Sequence, residues 1–240
     1  MRIVSSHLGL LRTVTMQEEM RPHARSFVTG LTALDSLPPR GAFAYGAIHE
    51  ILADPSHGEP RFFALLLARA AAAAVNRNII WSDPRRELYP PALVAAGLSL
   101  DRLHLLHPRN PRDEVWAIAE CLGCRGISAM IAAPPRLSRV EARRLQLAAE
   151  RGGGAGILMR STGAASTHYA AATRWLIQPA PGSATVQRWS IQLIHGHGGL
   201  VGKNITLEVC RDSNQQPNHV RAIETMASGP IQTQTARVSA

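Results

Sequence analysis

Ala47-Ile48-His49-Glu50-Ile51-Leu52, then Ala53-Asp54-Pro55-Ser56-His57-Gly58-Glu59-Pro60, then Arg61 and the run Phe62-Phe63-Ala64-Leu65-Leu66-Leu67, decide how the other residues are read. Residues 47–52 read as a short strand, the Asp-, Pro-, Ser- and Gly-rich segment 53–60 as a loop, and the Ala- and Leu-rich segment 62–75 as a helix. Such a strand–loop–helix is the first half of a βαβ unit. The alternation continues downstream. Residues 78–81 read as a strand, Pro90-Pro91 open a helix to Ala96 that Gly97 stops, and 103–106 read as a third strand. A helix over 112–122 puts Val115, Ile118, Ala119 and Leu122 on one face, and 127–132 is a fourth strand. Ser138 opens a helix that ends at Gly152-Gly153-Gly154, and 156–159 follow as a fifth strand. Then the pattern changes: 173–178, 189–194 and 204–210 read as strands with no helix between them. The spacing predicts one α/β domain over 26–212, a mainly parallel central sheet flanked by helices with a C-terminal antiparallel extension. Residues 1–25 read as an N-terminal arm, and 213–240, rich in Gln, Asn, Thr and Ser, as a disordered tail.

Composition sets the outer limits. With 45% apolar residues and a mean hydropathy of −0.04, the 240-residue chain reads as soluble and globular. Its longest apolar run, 62–75, is broken by Arg69 and falls short of the ~20 residues a bilayer span needs. Glu18 and Glu19 come early and no long apolar stretch precedes them, which argues against a secretory signal. Three cysteines suggest a reducing compartment and no disulfide scaffold. The net charge of +9 is carried almost wholly by arginine, Lys203 being the only lysine. The arginines are scattered, so the charge admits nucleic acid or an acidic protein partner without requiring either.

In such sheets ligands sit beyond the carboxyl ends of the strands, and the first strand–loop–helix holds phosphate. Thr29-Gly30-Leu31, Leu34-Asp35 and Gly46-Ala47-Ile48-His49-Glu50-Ile51 resemble the opening of the RecA core, where this pattern leads into the Walker A loop. The resemblance continues through Asn78-Ile79-Ile80-Trp81, Leu88-Tyr89-Pro90-Pro91-Ala92-Leu93, Glu114-Val115-Trp116-Ala117-Ile118-Ala119-Glu120 and Gly156-Ile157-Leu158-Met159-Arg160. With Ala172-Thr173-Arg174-Trp175 and Arg188-Trp189-Ser190-Ile191, the order and spacing over 28–210 resemble the ImuA family, a RecA-related group of bacterial SOS mutagenesis that is distantly similar to the division inhibitor SulA. The resemblance implies a RecA-like fold in a cytoplasmic, nucleoid-associated bacterial protein. It implies partnership with an ImuB-type polymerase-like protein and an error-prone replicative-type polymerase, with RecA a further contact.

The departures from the RecA pattern bear on mechanism. A phosphate loop needs glycines, a lysine and a hydroxyl that holds the metal. Gly58 keeps its place, but Glu59 stands where lysine belongs, and Pro60 and Arg61 replace the hydroxyl positions. Ser56, Gly58, Glu59 and Arg61 thus read as a vestigial loop in which only Arg61 favours phosphate. The strand 127–132 runs into Ala132-Ala133-Pro134 with no Walker B aspartate, Asp83 does not align with the water-activating carboxylate, and Arg160-Ser161 stands where a γ-phosphate sensor belongs. The expectation is a RecA-like adaptor that neither hydrolyses ATP nor needs a cofactor or metal. Two alternatives stand beside it: an ATP-dependent DNA-binding ATPase using Arg61 as phosphate cation, and a SulA-like division inhibitor. The connections after the fourth and fifth strands are short, which leaves little room for a filament-type DNA groove, so any DNA affinity should be weak, electrostatic and steeply salt-dependent.

Other clusters are weighed in the same way. Arg136, Arg139, Arg143 and Arg144 fall at helical spacing and read as a solvated face paired with Glu141 and Glu150, or as a docking patch for DNA or an acidic partner. Arg188, Trp189 and Arg211, in the C-terminal part where the family's partner contacts are associated, are further docking candidates. Cys121-Leu122-Gly123-Cys124 with His195-Gly196-His197 offers a weak zinc pattern, and the cysteines read as helix core. Trp116 reads as core, Asp83 with Glu87 as a helix-entry cap, and His49-Glu50 as a poor catalytic dyad because no nucleophile lies near.

Overall fold

The computed structural model describes residues 26–164, 170–183, 186–210, 219–223 and 233–235. The expected arm 1–25 and Arg211 lie outside them. β1 (Ser26–Phe27) and β2 (Phe43–Ala44) form an antiparallel ribbon around the short helix α1 (Thr32–Asp35). The Thr29-Gly30-Leu31 motif has a local explanation. The Asp35 carboxylate accepts from the Thr29 N–H and hydroxyl, both at 2.8 Å, and from the Gly30 N–H at 3.0 Å, so the turn is tied by its own side chain.

The strand that decides the fold is β3 (Ile48–Ala53), and it leads through a seven-residue loop into α2 (Arg61–Val75). Then come β4 (Asn78–Ser82), α3 (Pro90–Ala95), β5 (Leu103–Leu106), α4 (Pro111–Leu122), β6 (Ile127–Ala132), α5 (Arg139–Gly152) and β7 (Ala155–Ser161). β8 (Thr173–Ala180), β9 (Val186–Gly196) and β10 (Asn204–Cys210) follow. Within the segment expected as a tail, β11 (His219–Ile223) and β12 (Thr233–Thr235) are described, and its other residues are not.

All but the first two strands join one sheet, in the order β12-β11-β10-β9-β8-β3-β7-β6-β4-β5. The pairs from β8 through β5 are parallel, and those from β8 out to β12 are antiparallel. This is the expected α/β architecture, with a parallel half and an antiparallel extension. β3 lies inside it, between β7 and β8, because α2 carries the chain across β7 and β6 before β4 is laid down. The parallel strands are buried on both faces, which is why they read as near-continuous apolar runs. Side chains alternate between two cores. Ile79, Trp81, Ala129, Ile131, Ile157 and Met159 meet Phe63 and Leu67 of α2, while Ile80, Met130 and Leu158 meet Ile118 and Leu122 of α4 and Leu145 and Ala149 of α5.

α5 starts at a capping box. Ser138 caps the helix and the Glu141 carboxylate accepts from its N–H at 2.8 Å. The helix ends on Gly152, where any Cβ would collide with the Leu122 carbonyl oxygen, so glycine permits the close crossing of α4. Two expectations are corrected here. Arg136 lies before the capped start of α5 and does not share its helical spacing. Trp116 is 47% exposed, because one residue past buried Val115 points about 100° further round the helix. Among the described residues no helix is long and apolar enough to cross a membrane.

Candidate functional site

The loop between β3 and α2 lies at the carboxyl end of the parallel strands, where a mononucleotide fold holds phosphate. Its donors are turned inward. The Asp54 carboxylate accepts from the Ser56 N–H at 2.8 Å and from the Ser56 hydroxyl at 2.7 Å, which holds the Asp54 pKa below its usual value. The His57 N–H donates to the Asp54 carbonyl at 3.0 Å, the Gly58 N–H to the Pro55 carbonyl at 3.2 Å and the Arg61 N–H to the Glu59 carbonyl at 2.8 Å. Pro55 and Pro60 have no N–H. Gly58 adopts φ 76°, a conformation that glycine tolerates, yet its N–H faces the loop and not an anion.

Four charges close over this loop. Glu59 accepts from Arg61 Nε at 2.9 Å and from an Arg85 terminal nitrogen at 2.7 Å; Glu87 accepts from Arg61 at 2.7 Å and forms an ion pair with Arg85 Nε at 3.0 Å. The result is a ring in which each cation touches both anions. Burial opposes the charge on Arg61, but Glu87 and Glu59 outweigh it and hold its pKa above the ordinary value. The only cation the sequence offered to phosphate is therefore bound by two carboxylates.

Beside the ring is a cavity of about 280 Å³, whose lining includes Ser82, Asp83, Arg109, Glu114, Ala133 and Met159. Its acidic groups are engaged. Asp83 accepts from the backbone N–H groups of Glu87 and Leu88, each at 3.0 Å, so it caps the 84–88 turn. Glu114 is 3% exposed and accepts from the Ser82 hydroxyl at 2.8 Å. Ala133, just past β6, lines the cavity wall. These residues fit a magnesium triphosphate poorly: the N–H groups of Ser56, His57, Gly58 and Arg61 are donated to the loop's own oxygens, and Glu59 meets the position of the phosphates. Among the described residues no three His, Cys, Asp or Glu side chains converge as a metal site, and Cys121 and Cys124 are buried in the α4 core.

Burial drives the Glu114 pKa up, against the Ser82 hydrogen bond. A raised carboxyl contributes stability while it is protonated and loses it as pH rises through the raised value. Glu114→Gln should therefore melt above the parent at neutral pH, with the gain shrinking toward acid; a parallel pair of melting-temperature profiles would contradict this.

Behind the loop, β3 turns two polar side chains inward. Glu50 is 2% exposed and pairs with Arg160 of β7 at 2.8 Å and with Arg174 of β8. His49, fully buried, has Nδ1 2.7 Å from the Thr173 hydroxyl and Nε2 2.9 Å from the Ala44 carbonyl. Arg160 is thus part of β7 and bound to Glu50, in place of a nucleotide sensor. The C-terminal candidates are also engaged within the fold. Arg188 pairs across strands with Glu208 at 2.6 Å, and Trp189 stacks on Phe62 with ring centroids 4.9 Å apart.

Sequence reading missed Arg85, Glu87 and Glu114 as members of this site. A signal was present in the complementary pairs Glu59-x-Arg61 and Arg85-x-Glu87, but 26 residues separate the partners.

No family model matches the chain. It is 25% identical over 222 residues to Protein ImuA of Caulobacter vibrioides, covering 84% of this chain and 90% of that one. The chain is a homologue of ImuA. The match covers 84% of the chain, so the likeness to ImuA extends over most of the fold. Two cell division inhibitors SulA are also similar, that of Pectobacterium atrosepticum at 33% identity over 95 residues and that of Pectobacterium carotovorum subsp. carotovorum at 35% over 91. They cover 39% and 37% of this ImuA homologue and little more than half of each inhibitor (56% and 54%).

Proposed function

We propose that the chain is a non-hydrolysing, RecA-like adaptor of DNA-damage-induced mutagenesis. The likeness to ImuA supports the role in mutagenesis. The observation that carries the adaptor reading is the loop itself: the described N–H groups at Ser56, His57, Gly58 and Arg61 are donated to the loop's own oxygens, and Arg61 is held by Glu59 and Glu87. A scaffold that keeps the mononucleotide fold and closes its anion pocket is suited to binding proteins. Its partners would be an ImuB-type polymerase-like protein and an error-prone replicative-type polymerase, with RecA a further contact, in the bacterial cytoplasm. DNA contact, where it occurs, would be electrostatic.

Calorimetric titration with ATP and magnesium tests the reading. No saturation is expected below about 1 mM, a level at which a complex retains only ~4 kcal/mol. Micromolar, magnesium-dependent binding would restore the ATPase reading. The SulA matches favour a second reading, inhibition of division, and overproduction that makes cells filament without DNA damage would support it.

A further inference from the structure

On the face of the molecule opposite α2, α4 and α5 leave an open groove of about 630 Å³. Its floor is small, since Ala119 of α4 and Ala148 of α5 are both buried. Its walls are apolar and exposed: Val140 is 78% and Leu147 47% accessible. Val140, Arg144, Leu147 and Arg151 follow the i, i+4, i+7, i+11 spacing of one helical stripe about 16 Å long, so apolar and cationic side chains alternate along it. Arg139 and Arg143 widen the positive rim, against Glu120 in the lining.

The acidic residues expected to neutralise this face are held elsewhere. Glu141 is bound in the Ser138 capping box, and Glu150 accepts from Gln146 at 3.0 Å. Arg143 reaches only Gln146, at 2.8 Å, and no carboxylate among the described residues pairs with Arg139, Arg144 or Arg151.

We infer that the α4–α5 groove binds an acidic amphipathic helix of a partner protein, whose apolar side chains sit over Ala119 and Ala148 between Val140 and Leu147 while its carboxylates meet the arginine rim. The chemistry favours this occupant over nucleic acid. A phosphate backbone would meet the arginines but would leave the apolar Val140 and Leu147 against charge. A helix with apolar anchors three and four residues apart matches both the length and the alternation of the stripe. The inference holds whether or not the β3 loop binds nucleotide.

Selection of a displayed library of random 16-residue peptides against the intact protein tests it, with fluorescence anisotropy on the enriched peptides and on a 20-base-pair duplex. Leu147→Ser and Arg144→Glu change exposed positions, and their melting temperatures confirm folding. Enriched peptides should carry several carboxylates and large apolar residues at i, i+3 or i+4, and each substitution should weaken binding about tenfold. No enrichment, or binding indifferent to Leu147→Ser, would overturn the inference. So would duplex binding that Arg144→Glu abolishes and Leu147→Ser leaves intact, which would assign the face to DNA.

Discussion

Replacing Glu50 with alanine should lower the free energy of unfolding by about 3–5 kcal/mol, the range for stranding a buried charge by removing its partner. The substitution would leave Arg160 and Arg174, 9% and 4% exposed, without the carboxylate that now bridges them. The two arginines are not equivalent. Arg160 Nε has no hydrogen-bond partner among the described residues, so part of its desolvation is uncompensated there, whereas Arg174 bonds Glu50 through Nε and makes further contacts. Arg160→Met should therefore cost less than Arg174→Met, and replacing all three residues by apolar ones of similar volume should recover most of the loss from Glu50→Ala. Urea denaturation of the four variants measures this series. A Glu50→Ala protein within about 1 kcal/mol of the parent, the scale of a solvent-exposed ion pair, would mean that water reaches the guanidinium groups.

That triad also shows where sequence reading stops. Strands 103–106, 127–132 and 204–210 were readable to the residue: the first two are largely apolar runs, and the third alternates Ile205, Leu207 and Val209 with polar residues between Lys203 and Arg211. β9 is longer than the 189–194 expected, because Gln187, Arg188 and His195 extend it through backbone pairing that hydropathy does not register. His49 and Glu50 read as polar residues at a strand edge, whereas β3 lies inside the sheet and buries both. Their partners Thr173, Arg160 and Arg174 lie 110–124 residues away, and only the order of strands brings them alongside. The vestigial loop was legible from Glu59 and Pro60, because lost lysine and lost N–H are chemical facts of the residues. Its closure by Arg85 and Glu87 was not, since that needs the turn after β4 to fold back over α2's first turn. Trp116 failed for a geometric reason: adjacency to Val115 in sequence is separation around a helix.

Between pH 6.5 and about 4 the protein should lose about 3 kcal/mol of stability through His49 alone. Burial pushes the His49 pKa down to about 4, against the hydrogen bond to the Ala44 carbonyl, and each pKa unit corresponds to about 1.4 kcal/mol. The unfolded chain binds the proton near pH 6.5 and the folded one does not, so the stabilising difference is complete above that value and shrinks as pH falls through the interval. Donor geometry gives the cause. Trp175 Nε1–H donates to the Thr173 oxygen at 2.8 Å, the Thr173 hydroxyl donates to His49 Nδ1, and His49 Nε2–H donates to Ala44. Every donor in this chain has an acceptor only while Nδ1 is unprotonated. A proton there forces the Thr173 hydroxyl to turn away, into a core where Phe43 stacks on Trp175 with centroids 5.4 Å apart. Thr173 and Trp175 belong to β8, which pairs parallel to His49's strand β3 on one side and antiparallel to β9 on the other, so acid weakens the strand through which the antiparallel extension joins the parallel half. Glu114, whose pKa burial raises, works in the opposite sense, so the His49 contribution is isolated as the difference between the parent and His49→Gln. That variant should show a flatter stability–pH curve in urea titrations between neutral pH and 4, and an unchanged slope would place the acid sensitivity elsewhere.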